Sequence, residues 1–363
     1  MGDMLSRDQQ QDGKKTKVVQ VGPGVDLPGG MRTVMEDLRT SELAAEFGLE
    51  IVPTASKKHR IRTFMAGLHR VEKLVKQGEC DAVHIHMSER ASVFRAIAII
   101  RRVKRMSDCK VIVHSHGGEI EDFFNSLSPR MQSYCFKGIG KADCLVALTP
   151  SWERWWNDLV PNIHTAVIPN CVAIPPVQPC KESGGDVILF LGCIGRRKGV
   201  DVLLEAACKV IENYPKTKFV FAGNGDVDGF KTYASDLGIA SNCLFTGWVG
   251  EKEKKDLLSG SSVLVLPSRR ESFGIALLEG MAYGLPVICS TGGNMKEIVD
   301  DGSDGIVFKS EDSDALADSI LLLIKSKSMA DAMGKRGRQK VERVYSKQVV
   351  MGEWSNLYRT LLT

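Results

Sequence analysis

Twelve short apolar runs set the terms for any fold of this chain. Half of them run directly into glycine or proline, and most are followed by an amphipathic stretch. Residues 16–21, 50–54, 80–86, 109–116, 141–148 and 165–169 read as buried strands, and so do 186–191, 219–222, 244–249, 262–266, 286–289 and 305–308. Strands that alternate with helices must be joined by crossovers, and crossovers give a parallel sheet with helices on both faces. At 363 residues the chain is too long for one ordinary core. The stretch 170–185, rich in proline and glycine and without periodicity, divides the two sets of strands. The expectation is therefore an α/β protein of two Rossmann-like parallel-sheet domains, 16–170 and 186–345, joined by a linker at 171–185. A flexible terminus at 1–15 precedes them and a closing helix at 346–363 follows. Ligands of open parallel sheets bind beyond the carboxyl ends of the strands, which places the site in the cleft between the halves.

The stretch 267–279, Pro-Ser-Arg-Arg-Glu-Ser-Phe-Gly-Ile-Ala-Leu-Leu-Glu, carries the most chemistry. A strand stops at Pro267, a polar turn follows, and a helix over 274–283 begins with Ile275, Leu278 and Ala282 on one face. Such a turn gathers unpaired backbone N–H groups at the positive end of a helix dipole, and Ser272, Phe273, Gly274 and Ile275 are the candidates to meet a phosphate there. Glu271 and Glu279 would repel an anion, so their partners are neutral hydroxyls. A diphosphate flanked by hydroxyl-rich groups is a nucleotide-sugar. The loop 192–199, Gly-Cys-Ile-Gly-Arg-Arg-Lys-Gly, brings Arg196, Arg197 and Lys198 to the same kind of turn, where they fit diphosphate neutralisation. In the first half Gly29 and Gly30 close a glycine-rich loop that lacks Gly-x-Gly-x-x-Gly, which weakens a dinucleotide reading.

Two His-x-His pairs, His84 with His86 and His114 with His116, end strands, and alternation puts each pair on one face. No cysteine or carboxylate pair is spaced to complete a metal site. The expectation is that His116 faces the cleft, that His84 and His114 belong to the core, and that no obligate metal is used. Asp226-Val-Asp228 reads as a helix N-cap rather than a metal motif.

Glu271-x7-Glu279, set in Pro-Ser-x-x-Glu-Ser-Phe-Gly and followed by Gly-Leu-Pro-Val-Ile at 284–288 and Thr-Gly-Gly at 291–293, resembles the signature of glycosyltransferase family 4, the retaining GT-B enzymes. The resemblance runs from Gly29-Gly30 to the last helix. It implies transfer of a hexosyl unit from a nucleotide-diphosphate sugar, UDP-linked ahead of GDP-linked, to a saccharide or lipid-linked acceptor in surface-polysaccharide synthesis. In its terms His116 and Glu271 are catalytic and contact the sugar, Glu279 holds the ribose, and Gly247 and Val249 edge the base. Lys198 matches the family's Gly-Arg-Leu-x-x-x-Lys-Gly loop, whereas Cys193 stands where the family has arginine, leaving Arg196 or Arg197 to replace it. Two other readings share the architecture. One is a nucleotide-sugar epimerase; the other is a non-catalytic saccharide-binding relic, which Cys193 favours and the intact Glu271, Glu279, Lys198 and His116 oppose.

Charge refines the setting. The net charge of +4 makes no case for nucleic acid, but residues 51–107 carry 13 Lys/Arg against 4 Asp/Glu. That span includes Arg101-Arg-Val-Lys-Arg105 beside apolar helix faces, the pattern of a surface that docks on anionic membrane. Ten cysteines without a Cys-x-x-Cys pair are the usage of a reducing compartment. With no apolar run long enough for a signal or a span, the expected location is cytoplasmic, peripheral on the inner face of the membrane.

Overall fold

The computed structural model describes residues 17–27, 29–176 and 186–363. The expected flexible terminus at 1–15 and the linker residues 177–185 lie outside the described residues. Every apolar run named above is a strand: β1 Val18–Pro23, β2 Glu50–Ala55, β3 Ala82–Met87, β4 Lys110–Ser115, β5 Cys144–Ala147, β6 Thr165–Val167, β7 Val187–Leu191, β8 Lys218–Ala222, β9 Cys243–Gly247, β10 Val263–Leu266, β11 Val287–Ser290 and β12 Gly305–Phe308. They form two six-stranded sheets in the orders β2-β1-β3-β4-β5-β6 and β12-β11-β10-β7-β8-β9, parallel at each pairing. Strands such as β3 and β4 are buried on both faces because helices cover both.

Strand order fixes where ligands can go. The first sheet changes direction of winding between β1 and β3, and the second between β7 and β10. At such a point the loops after adjacent strands turn to opposite faces and leave a crevice. In the second sheet those two loops are 192–199 and 267–274, the two stretches singled out for phosphate chemistry.

Residues 31–47 are two helices, Gly30–Arg39 and Leu43–Phe47, rather than the single helix that their periodicity predicts. Thr40 Oγ1 donates to Glu36 O at 2.7 Å and Ser41 Oγ to Leu38 O at 2.7 Å, so two hydroxyls take up the last carbonyls and end the first helix.

The chain crosses between the sheets twice, at the same place. Val172 N donates to Tyr345 O at 3.0 Å and Lys347 N to Val172 O at 3.2 Å, so the outgoing and returning strands are hydrogen-bonded side by side. The last helix, Lys347–Leu362, then buries Val350, Trp354 and Tyr358 against Val18, Ile112 and Val146 of the first sheet. Arg359 Nε reaches Glu46 Oε1 at 2.6 Å on its outer side.

Candidate active site

The second-domain half of the site is built on two turns that interlock. Gly199 adopts φ 70° and a Cβ there would lie 2.0 Å from the carbonyl oxygen of Pro267, so only glycine lets the loop 192–199 close on the turn after β10. Gly274, at φ 99°, turns the backbone into the helix Ile275–Ala282. Across these turns Lys198 Nζ is ion-paired to Glu271 Oε2, with both side chains mostly buried, and Glu271 Oε1 accepts from Ser272 N at 3.2 Å. The two residues expected to touch opposite ends of a sugar diphosphate are therefore already in contact.

The neighbouring arginines diverge. Arg196 turns outward, with its guanidinium 3.4 Å from Asp201. Arg197 points across the cleft, its Nε 3.8 Å from Glu119 of the first domain. The geometry puts Arg197, not Arg196, on the cleft side. Arg269, which sequence reading passed over, holds the turn from behind by a bidentate pair with Asp201 at 2.7 and 3.0 Å.

Glu279 sits deeper. Lys254 Nζ lies 2.7 Å from its Oε1, and burial outweighs that ammonium, so the carboxyl titrates above the ordinary carboxylate range. Lys254 belongs to a helix, Glu251–Gly260, that reads as a solvated face, and only the fold lays it on Glu279. Gly247 ends β9, and Val249 lies in the short turn between it and that helix. Val249 is half-buried against the core while Trp248 beside it is 61% exposed. Phe273 turns its ring into the core, 6.0 Å from Tyr345, so only its backbone can meet a ligand.

The first domain faces this surface closely. A Cβ on Gly30 would sit 3.5 Å from Ile275 Cδ1, and one on Gly118 would sit 3.0 Å from Ser272 N. Trp152 Nε1 donates to Ser272 O at 2.9 Å and Arg270 pairs with Asp122 at 2.9 Å. Between them lies a cavity of ≈240 Å³ lined by Trp152, Trp155, Arg270, Glu271 and Asn294.

His116 follows β4, and the fold gives it a network that sequence spacing did not show. Gln20 on β1 donates through Nε2 to Met35 O at 3.2 Å, so its carbonyl Oε1 is what faces His86 Nε2 at 3.0 Å. His86 therefore carries its proton on Nε2, and its bare Nδ1 accepts from His116 Nε2 at 3.0 Å. His116 is left with Nδ1 unprotonated, an acceptor for a hydroxyl. Burial depresses all four imidazoles: His84 and His116 to about 3, His86 and His114 well below the ordinary value. All four are neutral at pH 7.

His84, His86 and His114 also bring ring nitrogens within 4.8 Å of one another, a spacing that suits a metal ion. Both His86 nitrogens are committed to Gln20 and His116, and His84 Nδ1 is 2.7 Å from the Tyr358 hydroxyl. An ion there would have to displace one of these partners. Asp226 accepts from Gly229 N at 3.1 Å and caps the helix Val227–Asp236, as its position in the sequence predicted.

Comparison with known proteins agrees with this geometry. Residues 177–340 match the family model "Glycosyl transferases group 1" and residues 33–174 match "Glycosyltransferase Family 4". The phosphatidyl-myo-inositol mannosyltransferase of Mycolicibacterium smegmatis is 25% identical over 322 residues, covering 85% of this chain and 79% of that protein. The O-antigen chain mannosyltransferase C of Escherichia coli is 30% identical over 237 residues, 62% of each. Among solved structures, a sucrose-phosphate synthase from Thermosynechococcus elongatus superposes with a TM-score of 0.81 at 16% identity, covering 95% of this chain and 99% of that one. The Anabaena protein HepE in complex with UDP-glucose gives 0.79 at 14% identity, over 95% and 99%. With its two parallel sheets, its interlocked turns and two family models that run from residue 33 to residue 340, the chain belongs to the glycosyltransferases of group 1 and family 4, and its fold is GT-B.

Proposed function

We propose that this glycosyltransferase moves a hexosyl unit, with retention, from a UDP-linked sugar to a saccharide or lipid-linked acceptor in surface-polysaccharide or glycolipid assembly. The observation that carries the reading is the Lys198–Glu271 pair at the switch point of the second sheet, facing the first domain across the cleft. As the anomeric C–O bond breaks, charge grows on the leaving diphosphate. Cations and helix N–H groups fixed beforehand stabilise that charge more than they stabilise the ground state. Lys198, Arg197 and the backbone of Gly274 and Ile275 supply them, and Gly29 and Gly30 close over the other side. Those groups do the work of a divalent ion, so no metal is required. Glu271 holds sugar hydroxyls, Glu279 the ribose, and the bare Nδ1 of His116 accepts from a hydroxyl of the donor sugar. Among the described residues no nucleophile is positioned, which fits a same-face displacement in which the leaving phosphate takes the acceptor's proton. The mannosyltransferase relatives favour a lipid-linked or polysaccharide acceptor. Among the described residues no helix is long and apolar enough to cross a membrane, so contact with such an acceptor is made from the surface.

Calorimetry tests this. Lys198→Ala should weaken UDP binding by roughly 1.5–3 kcal/mol, the worth of a lost charged hydrogen bond. Unchanged affinity removes Lys198 from the donor site.

A further inference from the structure

A second cavity, of ≈150 Å³, opens in the first domain where that sheet changes winding direction, at the carboxyl ends of β1 and β3. Thr54, His86, Ser88, Ser92 and Arg95 give it a polar lining, and the remainder is largely apolar. Arg95 comes from the helix Ala91–Met106, whose first turn borders the cavity. Its guanidinium is partly withdrawn from water, and no carboxylate among the described residues acts on it. The charge close enough to matter is Arg60, of the same sign, and burial followed by Arg60 lowers its pKa. A partly buried cation with a like-charged neighbour and no counterion is unfavourable on its own. Ser92 Oγ accepts from Ser88 N at 3.1 Å, which leaves its O–H to donate elsewhere. His86 lines this cavity and is hydrogen-bonded to His116 at 3.0 Å, so the cavity stands one imidazole away from the residue that faces the donor.

We infer that this cavity takes a phosphate group of the acceptor, with Arg95 and Arg60 as its countercharges and Ser92 as a hydrogen-bond donor. The inference rests on the transfer reading above and narrows the acceptor to a phosphate-bearing molecule. A phosphate there neutralises Arg95 and the nearby Arg60, which no carboxylate among the described residues pairs, and the apolar lining accepts the adjoining carbon skeleton. Met65 and Ile61, on the same helix as Arg60, are 56% and 80% exposed, which suits a lipid tail lying outside the cavity. A soluble phosphosaccharide would use the same cations.

Titration of inorganic phosphate by calorimetry into wild type, Arg95→Met and Lys198→Ala separates this cavity from the donor site. Arg95→Met should lower phosphate affinity by about tenfold or more, as expected for a lost charged hydrogen bond, and Lys198→Ala should retain a phosphate site. The Arg95→Met protein should melt no lower than wild type, because it loses an uncompensated charge. If that variant fails to fold, Arg95→Lys decides: it keeps the charge, loses the bidentate fork, and should still weaken phosphate severalfold. Phosphate affinity unchanged in the folded Arg95 variant, or abolished by Lys198→Ala alone, overturns the inference. Phosphate binding is read without turnover, so it can fail while donor binding at Lys198 stands, and the reverse. Phosphatidylcholine vesicles with and without phosphatidylinositol distinguish the sources. Recruitment that needs both the phosphoinositide and Arg95 assigns a lipid phosphate; phosphate binding without recruitment assigns a soluble phosphosaccharide.

Discussion

His114 keeps both ring nitrogens buried and without a hydrogen-bond partner among the described residues, its ring tilted 44° to that of His116 with 3.9 Å between the centroids. Together with His84, His86 and His116 it makes the protein sensitive to acid, and the sign is fixed. Each imidazole is neutral in the folded state down to a depressed pKa, about 3 for His84 and His116, while the unfolded chain takes up a proton near the ordinary value. The unfolded state therefore binds more protons in that window, and stability falls as pH drops from about 6.5 toward 3, by roughly 1.4 kcal/mol per pH unit for each histidine. Thermal melts between pH 7 and 5 should show the loss. His114→Leu should leave the pH 7 melting temperature level or higher, since it removes two unsatisfied polar atoms, and should flatten the acid slope by roughly a quarter. A slope identical to wild type would place the acid sensitivity elsewhere. The His-x-His pairs were legible in the sequence. Their coupling was not, because it depends on Gln20, an amide in a run of valines whose partner stands 66 positions away.

At the scale of elements, the strands were legible almost to the residue because apolar runs bounded by glycine leave one reading. The helix break at Thr40–Glu42 was missed because hydroxyl-to-carbonyl bonds, not periodicity, end the first helix there. The carboxylates of the Glu-x7-Glu motif were found from spacing, whereas the lysines that hold them come from separate elements, Lys198 before one helix and Lys254 within another. That division predicts different kinetics. On the proposed reading Glu271 would hold the sugar that changes shape, so Glu271→Gln should lower kcat by on the order of tenfold with a smaller change in donor KM. Glu279 is anchored to Lys254 about one turn into the helix Ile275–Ala282, and on the proposed reading it would hold the ribose, a part of the donor that does not react. Glu279→Gln should raise donor KM more than it lowers kcat. Steady-state kinetics on both variants checks the division, and matching kcat and KM effects in the two would dissolve it.

Over the whole molecule, the basic span 51–107 is not one surface. At its far end Arg101 stacks on Tyr134 at 4.2 Å, Arg102 pairs with Glu72 at 2.5 Å and Lys104 with Asp143, leaving Arg105 exposed. At its near end Lys57, Lys58, Arg60 and Arg62 are all exposed, next to Ile61 and Met65, with Phe94 39% exposed on the following helix. Neutralised cations contribute little to an anionic surface, whereas exposed ones contribute roughly 1 kcal/mol each and are screened as salt rises. Composition alone weighted the Arg101–Arg105 run, because it shows charge but not the partners that the fold supplies. Replacing Lys57, Lys58, Arg60 and Arg62 by glutamine should therefore abolish flotation with vesicles containing anionic lipid at low salt. Replacing Arg101, Arg102, Lys104 and Arg105 should reduce it far less. UDP binding in the other domain should survive both sets, which separates loss of docking from loss of fold. Equal losses from the two sets would mean that net charge, not the exposed end of the helix Arg60–Lys76, holds the protein at the membrane.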